Sequence, residues 1–197
     1  MIRYSLSLFV LVLFALIAQQ FIPVLTGLYN SRLLLVTLIF LCASVTVRPP
    51  VMLALAFVCG FLWDAQNALG PPGGDLEFQK YQTESLRFGY SIILYGAIGY
   101  LMQGIQPLFR EGKWQFSTFL VGVSIFIYLV SEYLIINFVR GDFQFSRATF
   151  LQISFTSVLT MLFSPVVFWI LFQIAEWFGH EIRFEGLNKK KRRRVIA

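Results

Sequence analysis

Residues 48–69 read RPPVMLALAFVCGFLWDAQNAL, and they decide what kind of molecule this is. Arg48-Pro49-Pro50 breaks the preceding segment, because proline lacks the backbone donor and disfavours helix in the residue before it. From Val51 to Trp63 every residue is apolar or glycine, and then a carboxylate, Asp64, arrives in the same run. Alternation at period 2, the mark of an outer-membrane barrel, is absent. The stretch predicts a membrane helix, because helices satisfy their own backbone polar groups in lipid.

The rest of the 197-residue chain repeats the pattern. Hydrophobic residues make up 57% and charged residues 13%, against about 25% charged in a typical soluble domain. Mean hydropathy is +0.72. A soluble globular fold and a disordered chain are both poor fits. A bilayer core about 30 Å thick takes about 20 helical residues. Six segments predict spans: Tyr4 to Leu25, Leu33 to Val47, Val51 to Leu69, Leu86 to Pro107, Phe116 to Val139 and Ala148 to Phe178. The second is short. The sixth is longer than a bilayer is thick, which predicts tilt or a kink at Ser164-Pro165. The expectation is an all-α membrane protein with one six-transmembrane-helix bundle over residues 1–180 and a basic tail over 181–197. Arg3 followed by an apolar run resembles a signal sequence. Ala15-Leu16-Ile17-Ala18 is not a cleavage site of the A-x-A kind, so an uncleaved first helix is expected.

The net charge is +6, and the unbroken run Lys189, Lys190, Lys191, Arg192, Arg193, Arg194 accounts for all of it. The rest of the chain shows no basic face or known nucleic-acid module. The tail therefore predicts membrane lipid as its partner and no nucleic acid. Anionic lipid is worth about 1 kcal/mol per basic residue close to the surface. On a six-span topology one face receives Arg3, Arg48, Arg110, Lys113, Arg183 and the six tail residues, 11 in all. The other receives Arg32, Lys80, Arg87, Arg140 and Arg147, a total of 5. The basic-residue rule then places both termini in the cytoplasm, and the loop from Gln66 to Ser85, with Gly70-Pro71-Pro72-Gly73-Gly74, outside it.

Ionisable residues at membrane depth are costly and are functional candidates by default. Asp64 lies about 20 Å along the third segment and Glu132 about 24 Å along the fifth, at 1.5 Å per residue. Both fall in the outer half. They could form a shared polar site for a proton or ligand. The structural reading is that each bonds a neighbouring helix and fixes packing, with Arg87, Arg140 and Arg147 near the same face. Gln19 and Gln20 read as interfacial hydration. Gly89, Gly96 and Gly99 fall within about 80° of one another on a helix, a face suited to close helix contact. Ser154, Ser157 and Ser164 make a similar face on the sixth segment.

Cys42 and Cys59 sit inside apolar runs, so a disulfide framework is not expected. His180 has no Cys/His cluster around it. No cofactor and no metal are expected. A nucleophile with a nearby base is missing, as are the P-loop, HExxH and GxSxG motifs, so the chain is not expected to be an enzyme.

The order of these features resembles the MreD family, the rod-shape-determining integral membrane proteins of bacteria. The residues that carry the resemblance are Arg48-Pro49 after the second segment, Gly60-Phe61-Leu62-Trp63-Asp64 closing the third, Gly99-Tyr100 in the fourth, Glu132 in the fifth and Ser164-Pro165 in the sixth. It spans roughly Leu33 to Trp177. The longer loop from Gly70 to Arg87 and the six-residue basic tail depart from the family pattern. Membership implies a non-catalytic scaffold of the cell-shape and elongation complex in the bacterial inner membrane, supporting peptidoglycan synthesis. It implies as partners an MreC-like periplasmic protein, an MreB-like filament, a glycan polymerase and a penicillin-binding transpeptidase. It also implies a helical arrangement resembling the substrate-binding subunits of energy-coupling-factor transporters. The competing expectation is such a subunit itself, for a vitamin-type small molecule. Asp64, Glu132 and Gln66 could line its pocket, but Ala15 and Ala18 are spaced i, i+3 where a coupling helix would want i, i+4.

Overall fold

The computed structural model describes residues 2–23, 25–68, 89–110, 114–140 and 146–178. Among these the chain is all-helical, with no strand. We label the helices α1 (Ile2–Phe21), α2 (Leu35–Thr46), α3 (Pro49–Ala68), α4 (Tyr90–Arg110), α5 (Trp114–Arg140) and α6 (Arg147–Trp177). Gly70 to Arg87 and the basic tail, Lys189 to Arg194, lie outside the described residues.

Local chemistry sets the boundaries. α1 ends at Phe21 rather than at Leu25, because Ile22-Pro23 follows and helix is disfavoured before proline. α3 begins at Pro49 rather than Val51. Proline suits the first helical position, where the missing donor is no loss, and the Arg48 carbonyl accepts from Val51 N and Met52 N. α6 opens on Ser146, whose hydroxyl accepts from Thr149 N at 3.1 Å as an N-cap. It then runs unbroken through Pro165.

Among the described residues, four helical stretches are long and apolar enough to cross a membrane: Arg3–Phe21, Pro49–Gln66, Phe116–Val139 and Arg147–Trp177. By that measure the chain is a membrane protein. α2, at 12 residues, spans only about 18 Å. α4 has the length, but Gln103, Gln106 and Arg110 dilute its apolar character.

Side-chain contacts define a strict up-and-down order. Tyr4 and Thr46 join the start of α1 to the end of α2, and Gln19 meets Val36 at the opposite ends. Gly60 lies against Ile92 and Gly99 against Met52, so α4 runs antiparallel to α3. Ser124 meets Met102 between α4 and α5, and Phe126 against Phe150 together with Gly122 against Met161 sets α6 antiparallel to α5. One end of the bundle therefore carries the α1–α2 connection (the Pro23 end), and the other carries the α2–α3 turn (the Pro49 end).

α2 is the axis. Val36 to Thr46 are all buried, and α2 touches each of the other five helices. The surrounding helices turn large apolar groups outward, among them Leu6, Phe14, Ile93, Phe119, Leu162 and Trp169. In water such a surface would drive association; in a bilayer it faces acyl chains. The arrangement also explains how a short, deeply buried helix starts at all. The first-turn N–H groups of a helix have no internal partner. Here neighbouring helices supply acceptors. Gln19 Oε1 takes Val36 N at 3.1 Å and Thr160 Oγ1 takes Leu34 N, at the N-cap, at 3.4 Å, while Thr156 Oγ1 takes Arg32 N at 3.4 Å in the segment leading in. Gln19 is thus an acceptor for α2, not merely a hydrated interfacial residue.

Candidate functional site

The two carboxylates flagged by depth meet at the Pro23 end. Asp64 lies one turn before the end of α3 and is only 4% exposed. Its Oδ2 accepts from Gly89 N at 2.6 Å. Gly89 adopts φ +101°, a conformation that side-chain-bearing residues rarely hold, and this turn aims its N–H back at α3. A charge-assisted bond of that length is among the stronger ones, and it ties the start of α4 to the end of α3. Glu132 reaches the same region from α5, where its Oε1 accepts from Trp63 Nε1 at 3.4 Å. Trp63 and Asp64 are adjacent on α3, so both carboxyls belong to the same end of the bundle.

Two tyrosines complete the cluster. Tyr128 sits four residues before Glu132 on α5, one helical turn away. Its ring lies 5.2 Å from that of Tyr95 on α4. Tyr95 is buried, stacks edge-on against Phe40 at 5.1 Å, and shares a 2.8 Å hydrogen bond with Thr37 Oγ1 of α2. The Tyr128 hydroxyl is buried, with the Tyr95 ring alongside. Helices α2, α3, α4 and α5 each contribute at least one polar group. The spacing Ser117, Ser124, Tyr128, Glu132 puts a polar face on α5, spanning about 80° at 100° per residue; its serines and tyrosine are buried.

Of the residues expected from sequence, Asp64 and Glu132 are brought together. Of the arginines named beside them, Arg147 is exposed at the start of α6 and Arg87 lies outside the described residues. The three glycines do not make one helical face. Gly89 belongs to the turn before α4 and has an open Cβ direction. Gly99 is packed, with Met52 Sδ 2.7 Å and Phe40 Cζ 2.8 Å from where a Cβ would lie. Gly96 has nothing within 4 Å and looks outward. Helical spacing alone could not separate these cases, because it contains neither the turn nor the neighbours.

Sequence reasoning passed over Tyr95, Tyr128 and Thr37. The usable signal for Tyr128 was its i, i+4 relation to Glu132. It also missed two close crossings, Gly60 on Ile92 and Gly122 on Met161. Ser157 and Ser164 are buried as the small face of α6 predicts, whereas Ser154 donates back to the Phe150 carbonyl of its own helix. Among the described residues no group of three or more His, Cys, Asp or Glu could hold a metal ion. Compared with known proteins, the chain matches no family model, no curated protein and no solved structure.

Proposed function

We propose that the chain is a non-catalytic scaffold of the bacterial cell-shape and elongation complex, set in the inner membrane as six spans with both termini cytoplasmic. Its helical arrangement would then resemble that of energy-coupling-factor substrate-binding subunits, and the Pro23 end would face outward. The observation that carries this reading is Gly96. It sits on an exposed stretch of α4, between Ile93 and Tyr100, with open space where a side chain would go. Helices in lipid gain little hydrophobic drive toward one another, so an outward small residue matters by letting a partner helix approach closely. Polar groups deeper in the bundle bond their own neighbouring helices, as Thr37 does with Tyr95 and Asp64 with Gly89. The partners are an MreC-like protein, an MreB-like filament, a glycan polymerase and a penicillin-binding transpeptidase, as the resemblance implies.

The test is Gly96→Leu in a rod-shaped bacterium that depends on this chain. The variant should reach the membrane at normal level, because a Cβ at this position meets nothing within 4 Å. It should fail to co-purify the wall-synthesis partners, and cells should round. Normal capture and normal shape would refute the role of this face. Tight binding of a vitamin together with capture of a transporter ATPase would instead support the transport-subunit reading.

A further inference from the structure

Pro165 divides α6 into two parts that are held differently. The part before it, residues 147–164, is tied to its neighbours by directional contacts. Thr156 Oγ1 and Thr160 Oγ1 accept from Arg32 N and Leu34 N, Gln152 Nε2 donates to the Asn30 carbonyl, and Ser157 Oγ donates to the Gly122 carbonyl at 2.7 Å. Phe155 stacks on Tyr29 at 5.8 Å, and Phe150 meets Phe126 edge-on at 6.0 Å. The part after it, residues 165–177, buries only apolar side chains: Val167, Phe168, Leu171 and Ala175. Apolar burial is non-directional and tolerates sliding, whereas a hydrogen bond asks for one geometry.

The join itself carries a donor and an acceptor that do not meet. Pro165 has no N–H to offer the Met161 carbonyl, and its ring crowds that carbonyl. Ser164 beside it is fully buried, and its hydroxyl has no hydrogen-bond partner among the described residues. Buried hydroxyls are ordinarily paired. In lipid, serine side chains re-satisfy carbonyls that a proline frees, and a serine hydroxyl bonded to a carbonyl one turn back bends its helix. We propose that Ser164-Pro165 is a hinge with two settings. In the setting described, α6 runs on through Pro165 and the Ser164 hydroxyl is idle. In the other, that hydroxyl donates to the Met161 carbonyl, and the arm 165–177 swings about the fixed part before it. The arm carries Trp169 and Trp177, both exposed, so the swing resets the surface that α6 presents at the Pro49 end. The hinge does not depend on the scaffold reading: it is read on purified protein, whereas scaffolding is read by partner capture in cells.

A bend of about 20° at Pro165 moves Trp177, about 18 Å farther along the helix, by about 6 Å. The experiment uses the full chain in lipid nanodiscs, with spin-label pairs on introduced cysteines and distance distributions from pulsed electron paramagnetic resonance. Leu53→Cys on α3 and Leu6→Cys on α1 serve in turn as the reference, at exposed positions. Trp177→Cys reports the arm, and Val158→Cys reports the part before the hinge. Two distances, separated by up to about 6 Å, are expected from Trp177 to at least one reference. Val158 should give a single distance to each. Pro165→Ala restores the N–H and should leave Trp177 a single distance. That change is remote from the helix end, so it separates a hinge from fraying. Ser164→Ala removes the hydroxyl that holds the bent setting and should also leave one distance. The proposal is overturned by a single Trp177 distance to both references in the parent pairs, or by two equally separated distances at Val158. A second distance that persists in either variant overturns it too, and Ser164→Ala decides the matter if Pro165→Ala does not fold.

Discussion

Gly60→Ala and Gly96→Ala add the same methyl group to two interior helix positions, and the structure gives them opposite signs. At Gly60 the new Cβ would lie 2.5 Å from Ile92 Cα and 2.6 Å from Ile92 N. Carbon atoms prefer about 3.5–4.0 Å. The obstacle is backbone, so no rotamer change relieves it, and α3 and α4 must move apart by roughly 1 Å. A gap of that size forfeits about a quarter to a half of each facing dispersion contact. Overpacking of this kind costs about 1–3 kcal/mol, occasionally more. The helix-propensity gain of Ala over Gly, about 1 kcal/mol, offsets only part of a cost at the upper end. A net loss of about 2 kcal/mol is expected. At Gly96 nothing lies within 4 Å, so only the propensity gain remains and the variant should be neutral or more stable by up to about 1 kcal/mol. The two should differ by about 3 kcal/mol, roughly a hundredfold in the unfolding equilibrium. Reversible unfolding by SDS titration in mixed micelles, with helicity by circular dichroism, measures both. Equal stability of the two variants would refute the close α3–α4 crossing and the argument built on it.

Three further outcomes follow from the same contacts. Thr37→Val keeps the shape of the side chain but leaves the buried Tyr95 hydroxyl without its 2.8 Å partner. It should cost about 1–3 kcal/mol in the same unfolding assay, and a cost near zero would mean the bond does not form. Gln19→Leu removes the acceptor for Val36 N at the start of α2. Faster hydrogen exchange at that amide, with the α2 core still protected, is expected, and unchanged exchange would count against the cross-helix cap. For topology, cysteines placed at Gly73 and Leu187 should label from opposite sides of the membrane. The native Cys42 and Cys59 are fully buried and should stay silent, and labelling from one side would sink the six-span proposal.

Composition and run length by themselves determined that this chain is helical and belongs in a membrane. Apolar runs such as Val51 to Trp63 leave a backbone in lipid no alternative to internal hydrogen bonding, whatever its neighbours. The same logic located Asp64 and Glu132, since a carboxylate inside such a run stands out without any knowledge of packing. It could not say what they touch, because Trp63 reaches Glu132, and Gly89 reaches Asp64, from a different segment of chain. Nor could it rank the glycines. Gly60, Gly96 and Gly99 are chemically identical, and the atoms that distinguish them, on Ile92, Met52 and Phe40, belong to other helices or to open surface. α2 is the clearest case. Read alone it is a short span, yet the tertiary structure makes it the buried axis, with acceptors for the N–H groups at its start supplied by Gln19 and Thr160. A helix too short for the bilayer can persist only where other helices satisfy its ends, and that is a property of their arrangement in space.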